Sequence, residues 1–219
     1  FFYLIMNPGS VMTLGVYFIC VFMPVSIAAA LLEVLRRPVP KWLTWTGIVS
    51  AFCVAAYTGF LLGVVSAYPL WNNAILPVLF VVSALSAGLA ATSLVGLITD
   101  RERFEQMWLI KKSHVILSAI EMVVLATMLI IVSSGSPEGA ASVASLVSGQ
   151  YAPMFWGGLV LLGLVAPFAI EGYPVFVTRK VETSTTSMVV SVIGEGGVLV
   201  GGFMLRLLVI LAALPVLYL

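Results

Sequence analysis

The sequence predicts an all-α integral membrane protein that crosses the bilayer about six times. Hydrophobic residues make up 62% of the 219 residues and charged residues 9%, whereas soluble domains contain about 45–50% apolar and about 25% charged residues. The apolar residues form runs of roughly 20 or more, the length that an α-helix needs to span the hydrocarbon core. The net charge of +1 argues against a nucleic-acid partner, so the expected surroundings are the lipid bilayer.

The apolar runs are separated by turn and charge clusters, which predicts a single polytopic transmembrane domain over residues 1–219. Helices are expected at about 10–35, 42–66, 75–98, 114–134, 155–177 and 188–218. The last helix, at about 31 residues, is longer than a perpendicular span needs, which predicts tilt or an end that protrudes into water. Prolines lie inside these spans, where neighbouring helices can satisfy the freed carbonyls; among them are Pro24, Pro167 and Pro215.

The start of the chain has no feature of a leader segment. Phe1 lies in an apolar stretch, and no charged region or cleavage site precedes it. This pattern predicts a fragment whose earlier helices are missing.

Basic residues alternate between the predicted connections. Nine of the ten lie after the first, third and fifth helices: Arg36, Arg37, Lys41, Arg101, Arg103, Lys111, Lys112, Arg179 and Lys180. The connections 67–74 and 135–154 contain none. By the positive-inside rule, the basic connections are predicted to face the cytoplasm and the other two the outside. The tryptophans support the span ends, where indole rings form interfacial belts: Trp42, Trp45, Trp71, Trp108 and Trp156.

The last three predicted spans carry ionisable residues within the membrane or at its edge. Arg206 is near the middle of the last helix, where a charge costs about 2.5–3.5 kcal/mol on insertion scales. Glu195 precedes it by eleven residues, on the same stripe and roughly 16 Å away along the axis. His114 and Glu121 share one face of the fourth helix, and Glu171 follows in the fifth. Such groups either fix the packing as interhelical pairs or carry function.

Other residues with chemical potential have simpler interpretations. His114 is the only histidine and follows two lysines at a helix start, so we expect it to be interfacial and partly solvated. A membrane haem held by two histidines is therefore excluded within this sequence. Cys20 and Cys53 lie in apolar runs and are expected to be buried small hydrophobes, without a disulfide framework or metal-ligand cluster. Gly197 and Gly201 have the spacing that lets helices approach closely.

Three segments carry a family resemblance: Tyr57–Leu62, Pro69–Asn73 and Leu76–Gly88. Together they resemble the NrfD/PsrC family, the membrane subunits of polysulfide reductase and related respiratory complexes. Similar elements elsewhere extend the resemblance over nearly the whole chain: Asn7–Met12, Asp100–Phe104 and Gly201–Arg206.

The resemblance implies a quinone-binding subunit of a bacterial cytoplasmic (inner) membrane complex. Such a subunit binds menaquinone or ubiquinone near the outer face and carries no haem or iron–sulfur cluster of its own. Its electrons pass to or from an extracytoplasmic iron–sulfur partner, which connects to a molybdenum catalytic subunit or to multihaem cytochromes. Members typically have eight or more helices in two bundles of four, so the six predicted here would be part of that architecture.

The residues from Tyr57 onward also have the chemistry of part of a quinone pocket. A quinone needs a hydrogen-bond donor at its carbonyl, an aromatic surface for its ring and an apolar slot for its tail. Tyr57 lies in the outer half of its helix with a phenol that can donate and accept, and Trp71 and Asn72 lie in the outer connection just beyond. Interfacial anchoring by tyrosine and tryptophan is the alternative.

A proton path is the second predicted site. It would run between the outer quinone and the cytoplasm along Arg206, Glu195, Glu121 and Glu171. Two other functions remain open at this point. A secondary transporter would use the buried acids and arginine to couple ion flux, and a purely structural anchor would use them only to hold the bundle together.

Overall fold

The computed structural model describes residues 6–99 apart from residue 8, 108–173, 176 and 185–216. The described elements are all helical. They are α1 (Val11–Val34), α2 (Lys41–Gly63), α3 (Ile75–Thr99), α4 (Trp108–Gly135), α5 (Pro137–Val147), the π-helix π1 (Met154–Val165), α6 (Ala166–Tyr173) and α7 (Thr185–Leu211). Six segments are long and apolar enough to cross a membrane: α1, α2, α3, α4, the continuous π1–α6 rod and α7. The all-α membrane fold with six spans is therefore confirmed.

Several predicted boundaries were wrong by about one helical turn or more. Helix α4 begins at Trp108, six residues before the predicted start at 114, and α7 ends at Leu211 rather than near 218. Pro215 therefore lies beyond the helix and not inside it. The physical reason is that a helical Pro215 has no N–H to pair with the carbonyl of Leu211, four residues earlier.

The connection 135–154 contains a helix that the sequence analysis missed. Helix α5 begins after Ser136, whose side-chain oxygen accepts a hydrogen bond of 3.0 Å from the Gly139 N–H. Proline at the first helical position and Glu138 in the first turn complete a strong start signal. Span length gives no signal for α5, because its 11 residues are too few to cross the bilayer.

The last four spans form a closed bundle. Helix α3 contacts α4 and α7, α4 contacts α6, and α7 contacts both π1 and α6. Its apolar core is built from long side chains of all four spans, among them Leu79, Leu125, Met128, Leu159 and Leu205. The helices α1 and α2 form a hairpin that is attached to this bundle through contacts between α2 and α3.

The hairpin is much less enclosed than the bundle. Within the most apolar stretch of each helix, only 6% of α1 and 11% of α2 are buried inside the protein, whereas 44% of α7 is buried. The expectation that both cysteines are buried was wrong for this reason: Cys20 on α1 is exposed and Cys53 on α2 is half-buried. In a membrane an exposed apolar thiol faces hydrocarbon rather than water.

Glycines set the distance between π1 and α7. A Cβ atom on Gly163 would lie 2.5 Å from the Cα of Gly201, and one on Gly197 would lie 2.5 Å from the carbonyl oxygen of Leu162. Both are far inside van der Waals contact, so the two backbones touch. The predicted role of Gly197 and Gly201 in close helix packing is confirmed.

The two ends of the molecule differ in charge and in packing. At the neutral end, which comprises 64–74, 136–153 and 212–216, the Trp71 indole N–H donates to the Val209 carbonyl at 2.7 Å. The Val216 N–H donates to the Ala67 carbonyl at 2.8 Å. The basic end lies opposite. Helices α1, α3 and α6 end there, and α2, α4 and α7 begin there.

The orientation of these ends is directly testable. In a background without Cys20 and Cys53, cysteine at exposed Asn72 of the neutral end should react with a membrane-impermeant maleimide in intact cells. Cysteine at exposed Arg37 of the basic end should react only after permeabilisation, because basic connections stay in the cytoplasm. Equal reaction of both after permeabilisation is the control. The reverse pattern in intact cells would overturn the topology.

Candidate functional site

One face of α4 places three polar side chains inside the bundle. His114, Ser118 and Glu121 are spaced by four and three residues, so they lie on the same stripe of the helix. Their exposed fractions are 1%, 2% and 4%. At a rise of about 1.5 Å per residue, His114 and Glu121 are roughly 10 Å apart along the axis, with Ser118 between them. His114 lies on the side of the basic end and Glu121 nearer the middle of the bundle.

His114 joins carboxylates from two other helices. Its Nδ1 lies 3.7 Å from Oε2 of Glu171 on α6, and its Nε2 lies 3.5 Å from Oε2 of Glu195 on α7. The exposed fractions of the two glutamates are 1% and 2%. We call these three residues the acid–imidazole cluster. Both distances are longer than a normal hydrogen bond, so a small shift of any one helix decides which nitrogen is bonded.

The sequence expectation for His114 was wrong. It predicted a partly solvated interfacial histidine at a helix start, but α4 begins six residues earlier and puts His114 in its second turn. The imidazole lies near the backbone carbonyl of Leu89 on α3, so four elements enclose it. The lysine beside it in sequence, Lys112, is exposed on the opposite side of the helix.

A second polar group lies deeper in the bundle. The Arg206 side chain on α7 donates from Nη1 to the Gly202 carbonyl at 2.7 Å, and its guanidinium carbon lies 5.6 Å from the centre of the Phe80 ring. It interacts electrostatically with the Glu121 carboxylate of α4, which also faces Ser83 of α3. The half-buried arginine therefore has a partner of opposite charge, as a cation within a membrane bundle requires.

Buried serines of α3 extend along both polar groups, from Ser83 beside Glu121 to Ser93, which lies beyond Leu89 and His114 towards the basic end. On α3, Ser83, Ser86 and Ser93 are each 1% exposed and share one face at spacings of three and seven residues. The hydroxyls of Ser86 and Ser93 have no hydrogen-bond partner within the part of the chain that the structure describes. We call the whole set the polar seam; its members are Ser83, Ser86, Ser93, His114, Ser118, Glu121, Glu171, Ser191, Glu195 and Arg206.

All four residues predicted for a proton path belong to the polar seam, where they form two separate groups. Glu171 and Glu195 belong to the acid–imidazole cluster, whereas Glu121 and Arg206 face each other one level deeper. The sequence analysis missed the serines of α3, although their spacing on one helix face was visible. It also missed the central position of His114, because a helix face does not show which other helices it meets.

The three residues predicted for quinone binding have different neighbours. The Tyr57 hydroxyl donates to the Met12 carbonyl of α1 at 3.4 Å, and the Tyr57 ring packs directly on Gly15. The Trp71 indole is bonded to α7 and its ring lies 4.2 Å from that of Tyr68. Asn72 is exposed and lines an open groove of about 360 Å³ at the neutral end.

Two cavities are relevant to a lipid-like ligand. The neutral-end groove lies between the α2–α3 connection and the end of α4, and its polar lining includes Ser66, Asn72, Asn73 and Ser136. An apolar groove of about 420 Å³ lies between α1 and α2. It is lined mainly by Phe18, Val21, Trp45, Val49 and Cys53. Cys53, at the edge nearer the neutral end, lies one helical turn before Tyr57 on α2.

The fold and the seam define a polytopic helical membrane protein whose buried ionisable groups, among the described residues, lie in one four-span bundle. The family model described as "Polysulphide reductase, NrfD" matches residues 1–217. The chain therefore belongs to the NrfD family, as the resemblance in its sequence predicted.

Individual relatives agree with this assignment. The protein is 30% identical to the C subunit of polysulfide reductase from Wolinella succinogenes over 189 residues, 75% of this sequence and 59% of that relative. It is 30% identical to protein NrfD of Escherichia coli, over 81% of this sequence and 54% of the relative. A protein NrfD homolog of Haemophilus influenzae is 28% identical over 75% of this sequence and 50% of its own length. The sequence thus spans between half and three fifths of these relatives. No solved structure gives a significant match.

Proposed function

We propose that this protein is the quinone-reactive membrane subunit of a respiratory oxidoreductase complex in a bacterial cytoplasmic membrane. It would bind menaquinone or ubiquinone at the neutral end, facing outward, and exchange electrons with an extracytoplasmic iron–sulfur partner. That partner would pass them to a molybdenum or multihaem cytochrome subunit. The relative from Wolinella succinogenes, named as part of a polysulfide reductase, supports the class of complex.

The single observation that carries the proposal is the polar seam. Four ionisable side chains with exposed fractions of 4% or less, His114, Glu121, Glu171 and Glu195, lie within a bundle that otherwise has an apolar core. Intramembrane ionisable groups are costly and usually mark ion or proton pathways. Quinone chemistry supplies the reason for such a pathway, because reduction of a quinone to a quinol consumes two electrons and two protons.

Features at and near the neutral end favour the proposed binding of a quinone. Its connections carry no basic residue, and Asn72 and Asn73 offer amide donors to a carbonyl oxygen in the open groove. The Tyr57 hydroxyl makes only a long bond of 3.4 Å to α1, so it can exchange that bond for one to a ligand while its ring stays packed on Gly15. The apolar groove between α1 and α2 suits an isoprenoid tail, because its lining is almost entirely hydrocarbon. Trp71 would contribute its ring surface, since its N–H is already bonded.

The proposal is tested on the assembled complex in sealed vesicles. Quinol-dependent electron transfer that a quinone analogue inhibits competitively is the expected result. A complex that transports an ion without any quinone dependence would favour the transporter. If the partner subunits without this protein retained full quinone-dependent turnover, the protein would be a purely structural anchor.

Replacement of Tyr57 by phenylalanine should slow quinol turnover while assembly stays intact. The ring that packs on Gly15 is retained, and the lost hydroxyl is worth about 1 kcal/mol, or roughly fivefold in rate if it contacts the quinone. The measurement is steady-state turnover at several quinol concentrations. Tyr151→Phe, at another neutral-end tyrosine, is the matched control. Unchanged turnover and quinone affinity in Tyr57→Phe would contradict quinone binding by Tyr57 and favour interfacial anchoring instead.

A further inference from the structure

The acid–imidazole cluster has a geometry suited to moving a proton between two carboxylates. The two nitrogens of His114 face different glutamates, Glu171 on α6 and Glu195 on α7, at 3.7 and 3.5 Å. An imidazole with one acceptor at each nitrogen can take a proton at one and release the proton held at the other. All three residues have exposed fractions of 2% or less, so the exchange is shielded from bulk water.

We propose that His114 relays protons between Glu195 and Glu171 and that this cluster is where the polar seam exchanges protons with the basic end. This inference rests on the proposed function and assigns the part of the path that lies nearest the cytoplasm. In one transfer, the proton on the Glu195 carboxyl moves to Nε2 while the proton on Nδ1 moves to the Glu171 carboxylate. One proton is thereby passed on, and the imidazole is left as its other neutral tautomer.

The charges around the cluster favour this assignment. Deeper in the seam, Glu121 and Arg206 compensate one another. The cluster has two carboxylates and one imidazole, so it offers more than one place for a proton. Among the described neighbours, α3 contributes Leu89 and serines, and π1 is apolar. Lys112 is exposed on α4 itself, and Glu138 of α5 lies at the far end of the molecule.

A metal ion is the competing occupant of the same atoms. The three side chains have ligand atoms within 4.8 Å of one another, and catalytic zinc sites use three protein ligands. Metal analysis of the wild-type complex is therefore part of the test of the relay.

Hydroxyl groups connect the cluster to the middle of the bundle. Ser118 lies one turn beyond His114 on α4. On α3, Ser86 lies between Leu89, which is beside His114, and Ser83, which is beside Glu121; the Ser86 hydroxyl has no partner among the described residues. A hydroxyl donates and accepts at once, so it can pass a proton on without carrying a lasting charge. The roughly 10 Å between His114 and Glu121 is therefore lined by relay groups and not by hydrocarbon alone.

The test uses the whole complex reconstituted in sealed vesicles, with electron transfer and membrane potential followed together. His114→Gln should retain quinone-analogue-sensitive electron transfer but lower the charge moved per electron at least twofold, because glutamine cannot exchange a proton. Glu171→Gln should do the same. Lys112→Gln, an exposed change on the same helix, is the control and should leave both quantities unchanged.

Each outcome decides a different point. Absence of quinone-dependent electron transfer in the wild-type complex overturns the proposed function itself. Normal electron transfer with unchanged charge per electron in both cluster variants overturns only the relay. Stoichiometric zinc or manganese in the wild type that disappears in His114→Gln makes the cluster a metal site instead. If both variants fail to assemble, infrared difference spectra of the wild type during turnover decide, since the relay requires a changing band of a protonated carboxylic acid.

Discussion

Replacement of Arg206 by methionine is expected to lower the free energy of unfolding by about 1–3 kcal/mol. Methionine fills a similar volume, but the change leaves the 4%-exposed carboxylate of Glu121 without the nearby opposite charge inside the membrane bundle. The cost should be smaller than that of breaking a direct buried ion pair, because the two groups attract one another through space and Arg206 is only half-buried. The measurement is the thermal or denaturant unfolding of the purified protein in detergent.

The matched control is the double variant Arg206→Met with Glu121→Gln. It removes both charges and should recover most of the lost stability, since no uncompensated charge is then left inside the bundle. Equal losses in the single and double variants would contradict the pairing of Glu121 with Arg206. The cost would then have to come from the packing of Arg206 on Phe80 and Gly202.

Replacement of Gly201 by leucine should prevent the bundle from closing. A side chain at this position would run into the backbone of Gly163, where even a Cβ atom has no room. Overpacking usually costs about 1–3 kcal/mol, and the cost here should exceed that range because the obstacle is backbone and not a movable side chain. We expect little folded protein after membrane extraction, measured as the monodisperse fraction in size-exclusion chromatography.

Gly196→Leu provides the control on the same helix. No atom lies within 4 Å of the position that a Cβ on Gly196 would take, so this larger side chain should be accommodated with near-normal yield. If both variants were recovered equally well, close contact between π1 and α7 would be excluded as a requirement of the fold.

The membrane fold could be predicted because it depends on local chemistry. Each apolar run must be helical in hydrocarbon to satisfy its own backbone, so run length alone indicates a span. The ends were less predictable, because capping and proline effects compete with hydropathy there. The stop at Leu211 and the short helix after Ser136 follow from such effects.

The candidate sites show a similar division. The sequence identified the buried ionisable residues, since any charge within an apolar run must be enclosed or paired. It did not reveal that Glu171 and Glu195 would meet at His114, because they come from helices far apart in the sequence. It likewise grouped Tyr57 with Trp71, although one side chain faces α1 and the other α7.

What the sequence by itself determined is therefore the number of spans, the NrfD resemblance and the set of ionisable groups that the membrane cannot leave exposed. What only the tertiary structure decided is which of them are neighbours. The reason is geometric: helical periodicity fixes the face on which a residue lies, but the partner of that face depends on how separate helices pack. The contact between Gly163 and Gly201 brings π1 and α7 together, and closure of the bundle then brings two glutamates to one histidine.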